Sequence, residues 1–185
     1  MRLRKIWAIY LCLAGVSIGA TIPRPSPDFA VYLNDGTQIH LNQYQGKVVV
    51  MAFILTTCPH CQFTCGVLTK LQKEYGPAGL QVIASAIEDM SKLNLPDFIR
   101  NFQPAYPVGY NLREGVQDYL QHPVIYRLLM PQVAIIDRKG TIRAQYAGDD
   151  KFFEKADQEK NFRAVLEPLL KEGTGPTSAR KRSSR

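Results

Sequence analysis

The apolar positions of this chain fall into short blocks with two different periods. The longest block, Val48-Val49-Val50-Met51-Ala52-Phe53-Ile54-Leu55, is unbroken, which is the signature of a strand covered on both faces of a sheet. Residues 80–87 read as a second buried strand. Between them, over residues 58–75, the period becomes helical. Cys61, Cys65, Leu68, Leu71 and Tyr75 recur near i, i+4, i+7, the stripe of a helix with one buried side, and Gly76-Pro77 ends it. Weaker signals fill the rest. Phe29-Ala30-Val31-Tyr32 reads as a strand and Asn34-Asp35-Gly36 as a hairpin turn. Asn94 caps a helix over residues 95–102, with Pro96 in its first turn. Residues 107–110 make a brief strand, and residues 114–120 a short helix closed by His122-Pro123. Strands at 132–137 and 141–146 meet across Arg138-Lys139-Gly140, and residues 152–170 form a long last helix. No segment repeats. The alternation predicts an α/β fold with a central mixed β-sheet flanked by helices on both faces.

The two ends differ from this middle. Arg2, Arg4 and Lys5 precede the apolar residues 6–20, so residues 1–20 read as a signal peptide or an uncleaved anchor. The run is shorter than the roughly 20 residues of a full membrane span. Cys12 lies inside it as one more apolar residue. Pro23, Pro25 and Pro27 stiffen a lead-in over residues 21–27. A single domain over residues 28–172 follows, and residues 173–185 form a polar, basic tail expected to be disordered. Such a leader implies an extracytoplasmic protein, periplasmic or anchored facing the periplasm.

Charge removes one class of function. The 185-residue chain has 23 Lys and Arg against 16 acids, a net +7. Arg2, Arg4, Lys5, Arg180, Lys181, Arg182 and Arg185 account for that whole excess. The domain between is balanced, which leaves no basic face for nucleic acid. Membrane contact is expected only through the N-terminal signal or anchor.

Without the leader, three cysteines remain, all within eight residues: Cys58, Cys61 and Cys65. Cysteines that staple a fold are spread to close long loops, and this cluster closes none. Its placement suggests reactivity instead. Cys58 follows the long apolar strand and opens the helix, with Pro59 at the first helical position. Free backbone N–H groups and the positive helix end then face the Cys58 sulfur and favour its thiolate. Cys61 lies one turn on, within reach of a disulfide, and His60, when protonated, adds a favourable charge. Cys58 attacks a disulfide, a mixed disulfide forms, and Cys61 resolves it. The pair therefore needs no cofactor beyond its own Cys58–Cys61 disulfide. Structural zinc would require a second ligand pair, and His40 and His122 are single residues.

Residues 27–170 resemble the thioredoxin-like superfamily, in particular the extracytoplasmic TlpA/ResA-like redoxins. The resemblance is carried by Pro27-Asp28-Phe29, Gln45-Gly46-Lys47-Val48-Val49, the Cys58-Pro59-His60-Cys61 strand–helix junction and Val133-Ala134-Ile135-Ile136-Asp137-Arg138-Lys139-Gly140. It implies a thiol–disulfide oxidoreductase acting on protein thiols or disulfides and served by a redox partner protein. Pro131 would be cis beside the reactive sulfur, and Met130 would pair its backbone with an extended partner peptide. The inner dipeptide Pro59-His60 is instead similar to DsbA-type oxidases, and it tilts the expectation toward an oxidant. The two poles, about −270 mV for thioredoxin and −120 mV for DsbA, lie far apart.

Three departures qualify the resemblance. Ala52 stands where many thioredoxins keep a buried carboxylate, Thr56-Thr57 where a tryptophan is usual, and Cys65 is additional. Glu88, at the end of the second buried strand, is the nearest acid to replace the missing proton relay. Cys65 reads as a buried core residue. The alternatives are a reductant in cytochrome c maturation, a Sco-like copper chaperone using Cys61, Cys65 and His122, and a peroxiredoxin-like peroxidase, in which Thr57 precedes the reactive Cys58.

Overall fold

The computed structural model describes residues 20–172. The signal or anchor (all but its last residue) and the basic tail lie outside the described residues. Strands β1 (Arg24–Pro25), β2 (Ala30–Tyr32), β3 (Gln38–His40), β4 (Val48–Ile54), β5 (Leu80–Ala86), β6 (Val108–Tyr110), β7 (Gln132–Ile136) and β8 (Thr141–Tyr146) are joined by helices α1 (Pro59–Tyr75), α2 (Ser91–Phe102), α3 (Arg113–Leu120) and α4 (Gln158–Lys171). One mixed sheet runs β1-β8-β7-β4-β5-β6-β2-β3. β4 and β5 are parallel, and β7 is antiparallel to β4.

β4 shows why its run carries no polar residue. Val48, Val50, Ala52 and Ile54 face a core shared with α1, α2 and α4. Val49, Met51 and Phe53 face a second core closed by Val116, Tyr119 and Leu120 of α3. Helices cover both faces, so neither set of alternate side chains meets water.

Two boundaries differ from the sequence expectation. α2 starts at Ser91, a turn before Asn94, and Pro96 lies inside it. Pro96 lacks the N–H that would reach the Lys92 carbonyl, but Lys92 is exposed and water can satisfy that group. The last helix is broken. Asp150 caps a short 3-10 turn at Lys151–Phe153 by accepting from the Phe152 N–H. That turn buries both Phe152 and Phe153, which a continuous helix could not aim at one core. The lead-in also contains a strand, because Arg24 and Pro25 pair with Ile142 and Thr141.

Candidate active site

The site lies where β4 and β5 end. Cys58 is the N-cap of α1, in extended conformation, with Pro59 following. Its sulfur is half-buried, while Cys61 and Cys65 are fully enclosed. All three are unpaired. The connector Leu55-Thr56-Thr57 touches both motif cysteines. The Cys58 N–H donates to the Leu55 carbonyl at 3.2 Å, and the Leu55 N–H donates to the Cys61 sulfur at 3.4 Å. Burial pushes the Cys61 thiol far above its usual range, and the neighbouring Cys58 and Cys65 sulfurs add to the rise while the Leu55 N–H opposes it. Cys61 is thus held as a thiol until a step demands its proton.

His60 is exposed, and its ring has no hydrogen-bond partner among the described residues. Only its carbonyl is engaged, accepting from Thr64 Oγ1 at 2.9 Å. Pro59 is likewise exposed. Pro131 is buried, and its peptide bond to Met130 is cis. Gln132 pairs with Phe53, which brings Pro131 to the sheet end where β4 gives way to Cys58. Met130 is half-buried, and its N–H and C=O make no backbone hydrogen bond among the described residues.

Glu88 is directed at the connector. Its Oε1 accepts from the Thr56 N–H at 2.9 Å and also from the Thr56 hydroxyl. Among the described residues it bonds neither motif sulfur. Ala52 lies in the same core as Cys61, and among the described residues the one acid buried as a whole is Asp137, at the opposite end of β7.

The copper alternative is not assembled. Cys61 and Cys65 point into the core from α1, whereas His122 follows α3 with Nε2 against the Tyr126 carbonyl at 3.2 Å. Among the described residues no three His, Cys, Asp or Glu side chains are grouped to hold a metal. Cys65 packs as part of the core, its thiol raised by burial to about 11.

Two positioning residues were not signalled by the sequence. Gln62 Nε2 donates to the Thr56 carbonyl at 2.8 Å. Gly148 lies so close to the Met130 backbone that a Cβ there would meet the Met130 carbonyl carbon and oxygen at 2.5 Å. Neither a helix-face glutamine nor a loop glycine carries a motif that could have revealed this.

A thioredoxin fold with a half-exposed helix-cap cysteine, a buried second cysteine one turn on and a cis-proline beside them defines a thiol–disulfide oxidoreductase. Residues 23–166 match the Redoxin family, and the chain belongs to it. It is 26% identical over 148 residues to the thioredoxin-like protein YneN of Bacillus subtilis, covering 77% of this chain and 81% of that protein. To the thiol-disulfide oxidoreductase ResA of Geobacillus thermodenitrificans it is 25% identical over 134 residues, covering 72% and 71%. A putative thiol:disulfide interchange protein DsbE from Chlorobium tepidum superposes with a TM-score of 0.64 at 23% identity, over 78% of this chain and 96% of that one. That likeness is one of fold. No helix among the described residues is long and apolar enough to cross a membrane.

Proposed function

We propose that the chain is an extracytoplasmic reductant of protein disulfides, with Cys58 as nucleophile and Cys61 as resolving thiol. The oxidant direction suggested by Pro59-His60 finds no support, because the His60 ring makes no hydrogen bond to either sulfur among the described residues and the relatives include the thiol-disulfide oxidoreductase ResA. The observation that carries the reductant reading is the likeness to the thiol-disulfide oxidoreductase ResA, 25% identical over 72% of this chain, within a Redoxin match over residues 23–166. The buried Cys61 thiol does not decide direction, because near pH 7 it keeps its proton with or without the upward shift.

The reaction conserves electrons as follows. The Cys58 thiolate attacks a partner S–S bond, forming a Cys58–partner disulfide and expelling one partner thiolate. Cys61 loses its proton and attacks the Cys58 sulfur, forming Cys58–Cys61 and releasing the second partner thiol. Two electrons pass to the partner, and a redox partner protein must return two. The free Met130 N–H and C=O, beside Pro131, supply an edge for an extended partner segment. Export through residues 1–20 would place this exchange outside the cytoplasm, and the reductant role makes proteins of cytochrome c maturation natural clients.

Equilibration of the Cys58/Cys61 pair with glutathione tests the direction. A potential near that of thioredoxin, about −270 mV, is expected. A value near −120 mV, that of DsbA, would restore the oxidant reading.

A further inference from the structure

We infer that Glu88 is a positioning residue that holds the Cys58–Cys61 pair in register through Thr56, and that it does not carry the Cys61 proton. The inference rests on Cys58 and Cys61 being the reacting pair, but not on the direction of electron flow.

The contact follows from the sheet. Val48 pairs with Leu80, and this parallel register runs unbroken to Ile54 opposite Ala86. Continued by two residues, the same offset sets Thr56 level with Glu88. The connector is held from both sides at that point. Glu88 Oε1 accepts both the N–H and the hydroxyl of Thr56, and Gln62, on the first turns of α1, donates to its carbonyl. Every polar group of Thr56 is thereby engaged. Its neighbour Leu55 binds one motif cysteine through each of its backbone groups, taking the Cys58 N–H and donating to the Cys61 sulfur. A shift of Thr56 would therefore move both ends of the reacting pair together.

The second carboxylate oxygen separates positioning from proton transfer. Glu88 Oε2 is buried and has no hydrogen-bond partner among the described residues. Replacing it with the NH2 of glutamine removes no hydrogen bond made by the described residues, and Oε1 remains to accept from Thr56. Glutamine can thus do what the clamp requires and cannot do what a proton carrier requires. Alanine can do neither.

The test follows the intramolecular step alone. Cys58 is loaded as its mixed disulfide with glutathione. Cys61 then gives its proton to water and attacks the Cys58 sulfur, forming Cys58–Cys61 and expelling glutathione thiolate, whose release is timed between about pH 6 and pH 10. Well-oriented intramolecular attack owes much of its rate to geometry, so a loosened connector should slow it. Glu88→Gln is expected to stay within about twofold of wild type with an unchanged pH profile, while Glu88→Ala slows release roughly tenfold or more. Thr56→Val, which loses only the hydroxyl donor, should fall between them, and Thr56→Ser should restore the rate. If Glu88→Gln is as slow as Glu88→Ala, or its profile shifts to a higher pH, the carboxyl moves the proton and the inference is wrong. It is equally wrong if Glu88→Ala matches wild type. Should Glu88→Ala fail to fold, the Thr56→Val and Thr56→Ser pair decides on the same readout. A glutathione potential contrary to the reductant reading would leave all these rates, and the inference, untouched.

Discussion

The two ends of β4 and β5 are held by opposite means. At the end far from the cysteines, Arg138 donates to the carbonyls of Gly46, Ala78 and Leu170 at 2.7, 2.9 and 3.1 Å. These carbonyls lead into β4, lead into β5 and close α4, so one guanidinium ties three segments. Beside it, Asp137 accepts the N–H groups of Lys139 and Thr141 and pairs with Arg143. Burial resists ionisation of that carboxyl, yet the Thr141 N–H, Arg143 and Lys139 together hold it below its usual range. At the cysteine end no cation among the described residues hydrogen-bonds to the ends of these strands. The contacts there are a weak N–H to sulfur, a carboxylate on Thr56, and a Met130 backbone left open. The closed end contributes stability, and the open end keeps groups unpaired that an incoming chain can pair.

The sharpest way to break this contrast is to disturb the open end without touching its chemistry. Gly148→Ala would drive a methyl into the Met130 carbonyl, so the Met130–Pro131 segment must shift. Misplacement by about an ångström can cost on the order of 100-fold. A 10- to 100-fold lower rate toward a disulfide-bonded protein is therefore expected. Alkylation of Cys58 by a small reagent should stay near wild type, since α1 is not involved. Equal loss in both assays would mean that the change acts through the whole fold.

The complementary change is Arg138→Ala at the closed end. Hydrogen bonds to charged groups are worth about 1.5–3 kcal/mol each, and three partly exposed ones do not add fully. A loss of roughly 2–3 kcal/mol in denaturant unfolding is expected, with exchange activity retained under conditions where the variant is folded. Activity lost before stability would show that the two ends are coupled.

This contrast also explains what could be read from the sequence. The unbroken run over β4 was legible because burial on both faces admits no polar residue, and β5 was legible from a mostly apolar run that Gln81 and Ser85 interrupt. The cysteine pair was legible because a strand, a Cys-x-x-Cys and a helix follow one another directly. The clamp was not, since Thr56 and Glu88 are 32 positions apart in sequence and meet only through strand register. A carboxylate six residues before Cys58 was the local rule to check, and Ala52 answered it without saying what had changed. Pro96 misled for a related reason. A proline reads as the first turn of a helix, and only the exposure of Lys92 shows that an interior position is tolerable here.

Cys65 gives the smallest effect, and its sign depends on pH. It belongs to the core beneath the open end and makes no reactive contact, so Cys65→Ala should remove a small buried group at a cost of about 1 kcal/mol near pH 7. Near pH 7 the potential of the Cys58/Cys61 pair should not change, because a protonated Cys65 places no charge beside Cys61. The folded thiol ionises at about 11 against an ordinary 9.0, so a raised native value means the folded state holds the proton that the unfolded state gives up. Stability from this group is complete below about pH 9 and is lost as pH climbs toward about 11, at roughly 1.4 kcal/mol per unit. Alanine has no proton to lose. The wild-type advantage should therefore shrink above pH 9, and the unfolding curves of the two reduced proteins should cross near about pH 10. Curves that stay parallel to pH 11 would show that water reaches the Cys65 sulfur, and the core beneath Cys61 would then be more open than its packing indicates.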